Sequence, residues 1–319
     1  MPTGRIPTAP MRNGDGRLSL RAGNLALELA PRIGGSVTAF TADGTPLLRP
    51  TPPQAITQRR VREVAAFPLV PYSNRIARAR FAFEGEHRLA RNAEPEAHAL
   101  HGNGWQRTWS VASAAASACT LALDHRPSDA DPGSRGEWPF AYRATQRFML
   151  TPAGLTVALS VENTDTRPQP AGLGWHPFFP VRPDTMLAFT ARGVWMTDAD
   201  HLPTAHLPVA PDSALGRGRA VPALALNHCF TGWDGRARIA LGAGLPTLLL
   251  EAGEPLSMGI VYTPAGQDFF AFEPVSHMPD AANRMATVAD HGLRILAPGQ
   301  ALTGEIRLTV CWSRPGERP

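Results

Sequence analysis

The chain has 319 residues, 43% of them hydrophobic and 18% charged, a balance that allows a sizeable core and excludes a disordered protein. Its formal charge is +4, yet all 31 basic residues are arginines scattered along the chain, so a nucleic-acid face, which concentrates its cations, is not expected. The absence of lysine excludes Schiff-base aldolases, pyridoxal-phosphate enzymes and P-loop nucleotide binding, each of which needs that amine.

Cys119, Cys229 and Cys311 are odd in number and widely spaced, which indicates neither a disulfide framework nor a zinc cluster. Residues 1–16 lack the apolar core of a signal peptide. No stretch approaches the ~20 apolar residues of a membrane helix. The expectation is a cytoplasmic protein with no membrane contact.

Alternation of apolar and polar residues dominates from there on. Arg17-Leu-Ser-Leu-Arg21 and Leu25-Ala-Leu-Glu-Leu29 read as two strands around Gly23-Asn24. Val37–Phe40 and Pro46–Leu48 flank Asp43-Gly44, a hairpin signal because both residues tolerate positive φ. Arg80–Phe83 turns through Glu84-Gly85 towards Leu89. The small-residue run from Val111 to Ala118 reads as strand or turn before Thr120-Leu-Ala-Leu123. Arg147–Leu150 turns through Pro152-Ala-Gly154 into Leu155–Val161, and Ala301–Val310 is a final strand. Helical periodicity over three turns is absent, and 32 prolines with 29 glycines punctuate the chain, which suits an all-β sandwich or barrel. The Pro/Gly-rich stretch 201–222 reads as a long surface loop, because apolar strands continue beyond it. The expected organisation is a flexible tail over 1–16, one domain over 17–313 and a C-terminal tail over 314–319.

Four segments break the alternation with polar groups among glycines and aromatics: Tyr72–Ile76, Leu100–Trp105, Gly174–Phe179 and Phe272–His277. Asn74 and Arg75 offer a planar fork of donors suited to sugar hydroxyls; a turn residue beside a surface arginine is the plain alternative. His101 before Gly102 is a loop histidine with or without a role. His176 lies among aromatics, where a satisfied core histidine is the commoner outcome. Glu273 is more surprising, since glutamate is rarely buried unless paired. Of the ten histidines none falls in an H-x-x-x-H or H-E-x-x-H arrangement. A G-x-S-x-G nucleophile elbow and a G-x-G-x-x-G loop are also missing. General acid–base chemistry by histidine and carboxylate remains.

Taken in order, these segments resemble the aldose 1-epimerase (galactose mutarotase) family, in its bacterial branch with a Gly-Trp-His-Pro-Phe-Phe-Pro segment. The resemblance runs from about Leu18 to Val310. It rests on Asn74-Arg75-Ile76, Leu100-His-Gly102, Gly174-Trp-His176, Asn227–Phe230, Gly232–Gly235 and Glu273–His277. It implies a galactose mutarotase-like antiparallel supersandwich that interconverts the α and β anomers of a free aldose. Glu273 would be the general base, ionised at neutral pH, and His176 the general acid. Asn74, Arg75 and His101 would hold the sugar. Asn227 stands where the family usually has Asp, which weakens a hydroxyl-binding bond; for Asp234 two roles are open, compensating for that lost carboxylate or serving as a turn residue in Trp233-Asp-Gly235. Trp175, Trp233 and Trp105 are candidates for stacking on the sugar or for the core.

No redox step arises in such a reaction, so no nicotinamide, flavin or metal is expected. The implied partner is a small sugar, the chain acting as monomer or homodimer. Rival readings are a hexose-6-phosphate 1-epimerase, a non-catalytic carbohydrate-binding sandwich and a glycoside hydrolase, although the last generally needs two carboxylates.

Overall fold

Two-residue alternation becomes two large antiparallel sheets in the computed structural model, which describes residues 11–127, 136–210 and 213–312. The first, of 12 strands, runs in the order Met11–Arg12, Leu18–Ala22, Leu25–Ala30, Ser36–Ala42, Ala66–Leu69, Gly174–Pro180, Phe269–Val275, Met258–Tyr262, Asn227–Thr231, Gly193–Thr197, Pro203–Pro208, with Thr45–Pro46 joined to Ser36–Ala42. The second, of nine strands, is built on the long hairpin Tyr142–Thr151 and Gly154–Asn163, followed by Ala301–Cys311 and Thr247–Ala252. The hairpin's Gly154 has φ 154°, and a Cβ there would lie 2.0 Å from the Leu308 carbonyl oxygen. At the Asp43-Gly44 turn both residues have positive φ, 47° and 80°, the twist a tight hairpin requires.

The inner faces of the sheets meet in one apolar cluster. Phe189 of the second sheet packs edge-on against Phe230 and Phe272 of the first, with ring centroids 4.9 and 5.1 Å apart. Gln146 ties the layers together, donating from Nε2 to the Gly35 carbonyl at 2.9 Å. The expected all-β antiparallel sandwich is therefore present. Helix is confined to short turns such as Pro53–Thr57 and Ala214–Arg217. Among the described residues no helix is long and apolar enough to cross a membrane.

Two boundaries differ from expectation. The first sheet begins inside the stretch expected as a tail, since Met11 pairs with Ser19 and Arg12 with Leu18; residues 1–10 and 314–319 lie outside the described residues. The stretch 201–222 is not one loop. Pro203–Pro208 is an edge strand on Gly193–Thr197, and Arg219–Ala220 pairs with Met186–Phe189. An edge strand exposed along most of its length, as Pro203–Pro208 is, needs no buried face and so shows no apolar alternation.

Phe148 is fully buried, so Phe148→Ala should lower stability by about 3–5 kcal/mol. Urea unfolding followed by tryptophan fluorescence and circular dichroism checks this, and both probes should trace one coincident transition if 17–313 is a single cooperative unit.

Candidate active site

Strand register assembles the site from residues far apart in sequence. His176 pairs with Phe67 on one side. On the other, the pairing of Gly174 with Val275 and of Phe178 with Ala271 sets His176 opposite Glu273, and Glu273 pairs onward with Ile260. Two residues along, a second row crosses the same strands: Phe178 beside Ala271, Ala271 beside Tyr262, Tyr262 beside Asn227. Side chains two apart share a face, so both rows open into one cavity of about 350 Å³, a size suited to a small ligand.

The remaining wall is a pair of loops clamped to each other. Arg75 and Ile76 pair with Leu100 and Ala99 in a two-stranded ribbon. Asn74 and His101 both adopt left-handed backbone, φ 55° and 62°, held by hydrogen bonds rather than by glycine. The Asn74 N–H donates to His101 Nδ1 at 3.0 Å, and the His101 N–H to the Asn74 carbonyl at 2.8 Å. The first bond makes Nδ1 the acceptor, so the neutral ring carries its hydrogen on Nε2 and has a donor free for a ligand. Gly102, φ 69°, has no room for a side chain: a Cβ would lie 2.2 Å from the Val70 carbonyl oxygen. Asn92 braces the turn, accepting from the Leu100 N–H and donating to the Leu100 and Gly102 carbonyls, each at 2.8 Å.

Buttresses behind the Asn74 loop come from the end of the chain. His277 Nε2 accepts from the Ser73 N–H at 2.9 Å, while its Nδ1 hydrogen is directed at the Met278 carbonyl. Burial pushes this imidazole down to about 4, so it stays neutral. Asp280 accepts from the Ala77 N–H through Oδ1 at 2.9 Å, and its own N–H donates to the Arg75 carbonyl at 2.8 Å.

At the cavity floor His176 Nε2 lies 3.2 Å from Glu273 Oε1, both side chains nearly fully buried. Glu273 Oε2 and His176 Nδ1 are buried without a hydrogen-bond partner. Phe67 and Phe178 flank the imidazole, with ring centroids at 4.7 and 4.4 Å. Burial pushes the Glu273 carboxyl up to about 8, against a smaller opposite pull from Arg75. Burial, then the Arg49 guanidinium, pushes His176 down to about 3. Arg49 itself is stacked on Phe178 at 3.8 Å. The expectation of an ionised Glu273 at neutral pH is therefore corrected. Desolvation favours the neutral form of both groups, a protonated carboxyl beside a neutral imidazole, so the pair holds one proton between them.

The structure thus brings Glu273, His176, Asn74, Arg75, His101 and Asn227 to one cavity. Asn227 is half-buried at its rim, with Nδ2 3.2 Å from His201 Nδ1. Trp175, Trp233 and Asp234 fall outside it. Trp175 alternates with His176 and points into the core, fully buried. Trp233 packs on Phe272 and donates from Nε1 to the Arg236 carbonyl. Asp234 takes the turn role left open for it, accepting from Thr190 Oγ1 at 2.6 Å and from the Arg236 N–H at 3.0 Å. Trp105 does line the cavity.

Sequence reasoning missed Glu96, Arg62, Tyr262 and Phe178, which also line it. Phe178 was within reach, being two residues from His176 on a strand. Glu96, in a polar loop with no periodicity, carries no such signal. Among the described residues no group of three or more His, Cys, Asp or Glu side chains is placed to hold a metal ion.

Comparison with known proteins gives the family and the fold. The family model "Aldose 1-epimerase" matches residues 17–309. The uncharacterized protein YphB of Escherichia coli strain K12 is 33% identical over 303 residues, covering 92% of this chain and 98% of its own. A crystal structure of a candidate aldose 1-epimerase from Escherichia coli K12 superposes with a TM-score of 0.82 at 33% identity, covering 93% of this chain and 99% of that one. A galactose mutarotase-like protein from Clostridium acetobutylicum shares the fold, with a TM-score of 0.80 at 17% identity over 92% of this chain and 94% of its own.

The shifted carboxyl has a consequence for stability. Between 4.5 and about 8 the unfolded chain has released the Glu273 proton and the folded protein has kept it. That contribution to stability is present at acid pH and lost as pH rises through about 8. His176 has the opposite slope, confined to between about 3 and 6.5. Urea titrations of the wild type should therefore show stability falling from pH 6.5 to 8, and Glu273→Gln should flatten that fall; equal slopes in the two proteins would remove the assignment.

Proposed function

The chain belongs to the aldose 1-epimerase family, and we propose that it interconverts the α and β anomers of a free aldose. The observation that carries this reading is the buried Glu273–His176 pair, 3.2 Å apart, with an unpartnered carboxyl oxygen at the floor of a sugar-sized cavity. A buried polar atom without a partner is rare and calls for a functional reason; a substrate hydroxyl supplies one.

Ring opening removes the proton from the C1 hydroxyl, breaks the bond from C1 to the ring oxygen and protonates that oxygen. One group must be empty and one loaded at the start. A pair that shares a single proton meets that condition in either tautomer. Glu273 as base with protonated His176, or His176 as base with protonated Glu273, performs the same exchange, and ring closure after rotation about C1–C2 runs it backwards. Arg75, Asn74 and the Nε2 hydrogen of His101 hold the remaining hydroxyls. Activity should fall on both sides of neutrality, because a second proton or the loss of the only one disables the pair.

A carbohydrate-binding module would leave the buried pair without a task, and a hydrolase would need a second carboxylate where His176 stands. A hexose-phosphate epimerase needs cationic groups free for the phosphate, whereas Arg75 is engaged by Glu96 at 2.8 Å. We therefore favour a neutral sugar, with the reaction taking place in the cytoplasm.

Anomer exchange measured by NMR over a panel of free aldoses tests the reading. Glu273→Gln should fold and lose ~10²–10⁴ in turnover; an unchanged rate would discard Glu273 as a proton-transfer group. Asn227→Asp should lower KM for at least one hexose, since a carboxylate at the rim accepts a stronger hydroxyl bond. A KM unchanged across the panel would separate Asn227 from substrate.

A further inference from the structure

Among the described residues Glu96 is the one carboxylate of the cavity wall besides Glu273, and its position is built rather than incidental. Its oxygens grip Arg75 along one edge, Oε2 accepting from Nε at 3.1 Å and Oε1 from Nη2 at 2.8 Å. The stretch of chain leading into it is pinned. Arg62 donates to the Glu94 carbonyl at 3.0 Å, Gln106 to the Asn92 carbonyl at 2.6 Å, and the Glu96 N–H to the Ala93 carbonyl at 2.9 Å. Asn92 in turn clamps the His101 turn. The carboxylate is thus held where it meets Arg75 without having to be ordered first.

Two charges decide what such a wall accepts. Arg62 and Arg75 both line the cavity, and on their own they would make its mouth an anion trap, since guanidinium is the group best matched to phosphate and carboxylate. The Glu96 fork occupies one of the two edges of Arg75 that a bidentate anion could take, the one formed by Nε and Nη2. It also places a negative charge beside it, where any incoming anion would be repelled. A neutral hydroxyl needs neither the fork nor the charge. It can take the donor on Arg75 Nη1, whose own contact to Asn74 Oδ1 is long, at 3.4 Å.

We propose that Glu96 is the specificity-determining residue of the site: through its fork on Arg75 it reserves the cavity for uncharged sugars and rejects sugar phosphates and sugar acids. This rests on the sugar-binding reading above for its substrate class, but the charge argument can be tested without any sugar.

Inorganic phosphate is the probe, titrated by phosphorus NMR against wild type, Glu96→Gln, Glu96→Asp and the double variant Glu96→Gln/Arg75→Gln. Glu96→Gln keeps the shape and loses the charge, and should bind phosphate at least about tenfold more tightly than wild type, with the gain weakening as salt rises. Glu96→Asp should stay near wild type, and the double variant should lose the gain. A phosphate affinity for Glu96→Gln within about twofold of wild type, or a gain that survives removal of Arg75, would overturn the proposal. The same variants assayed for anomer exchange on an aldose and its 6-phosphate should show the preference moving towards the phosphate in Glu96→Gln. If the wild type exchanges no sugar at all, the epimerase reading fails while the phosphate titration still decides the role of Glu96.

Discussion

A carboxyl and an imidazole buried side by side, with too little charge around them to keep either ionised, set the terms for the rest of this molecule. Glu273 would be ionised in water, and only desolvation holds its proton in place. That desolvation depends on where the pair sits: in the middle of a 12-stranded sheet, on adjacent strands, with Phe67 and Phe178 against the imidazole. The sheet supplies distance and dryness together. Cross-strand neighbours are held at a spacing that a loop would not maintain, and strands on both sides exclude water from below.

The wall opposite works on another principle. Where the sheet positions by register, the Asn74 and His101 loops position by mutual hydrogen bonding. Each places a non-glycine residue in left-handed backbone, a conformation that persists only when its surroundings over-determine it. Here the surroundings are reciprocal bonds between the two loops, the His277 and Asp280 buttresses behind one and the Asn92 clamp beneath the other. The donors that face the cavity are rigid as a result, which is what a site needs if its groups are to act without reorganising. Glu96 extends the same clamp to Arg75 and turns a structural brace into a filter on charge.

Much of this was legible in the chain, because alternation, turn chemistry and the ordered polar segments each have a local cause. Asp43-Gly44 announces its hairpin, and Leu155–Val161 its strand. Glu273 stood out as a carboxylate among apolar residues. Other features had no local cause to read. Pro203–Pro208 is a strand only because Gly193–Thr197 lies beside it. Trp175 looked as eligible as Trp105 until alternation about His176 sent it to the core. Glu96 gained its meaning from an arginine 21 residues earlier.

The sequence by itself therefore determined the fold class, through periodicity and composition, and pointed to the family and the residues able to move protons through the resemblance of its ordered motifs. Only the tertiary structure decided the protonation of the Glu273–His176 pair, the exclusion of Trp175, Trp233 and Asp234 from the cavity, and the pairing of Arg75 with Glu96. The physical reason is the same for all three. Burial, register and the distance between charges belong to groups brought together from different parts of the chain, and a carboxyl's proton affinity is set by neighbours that only folding supplies.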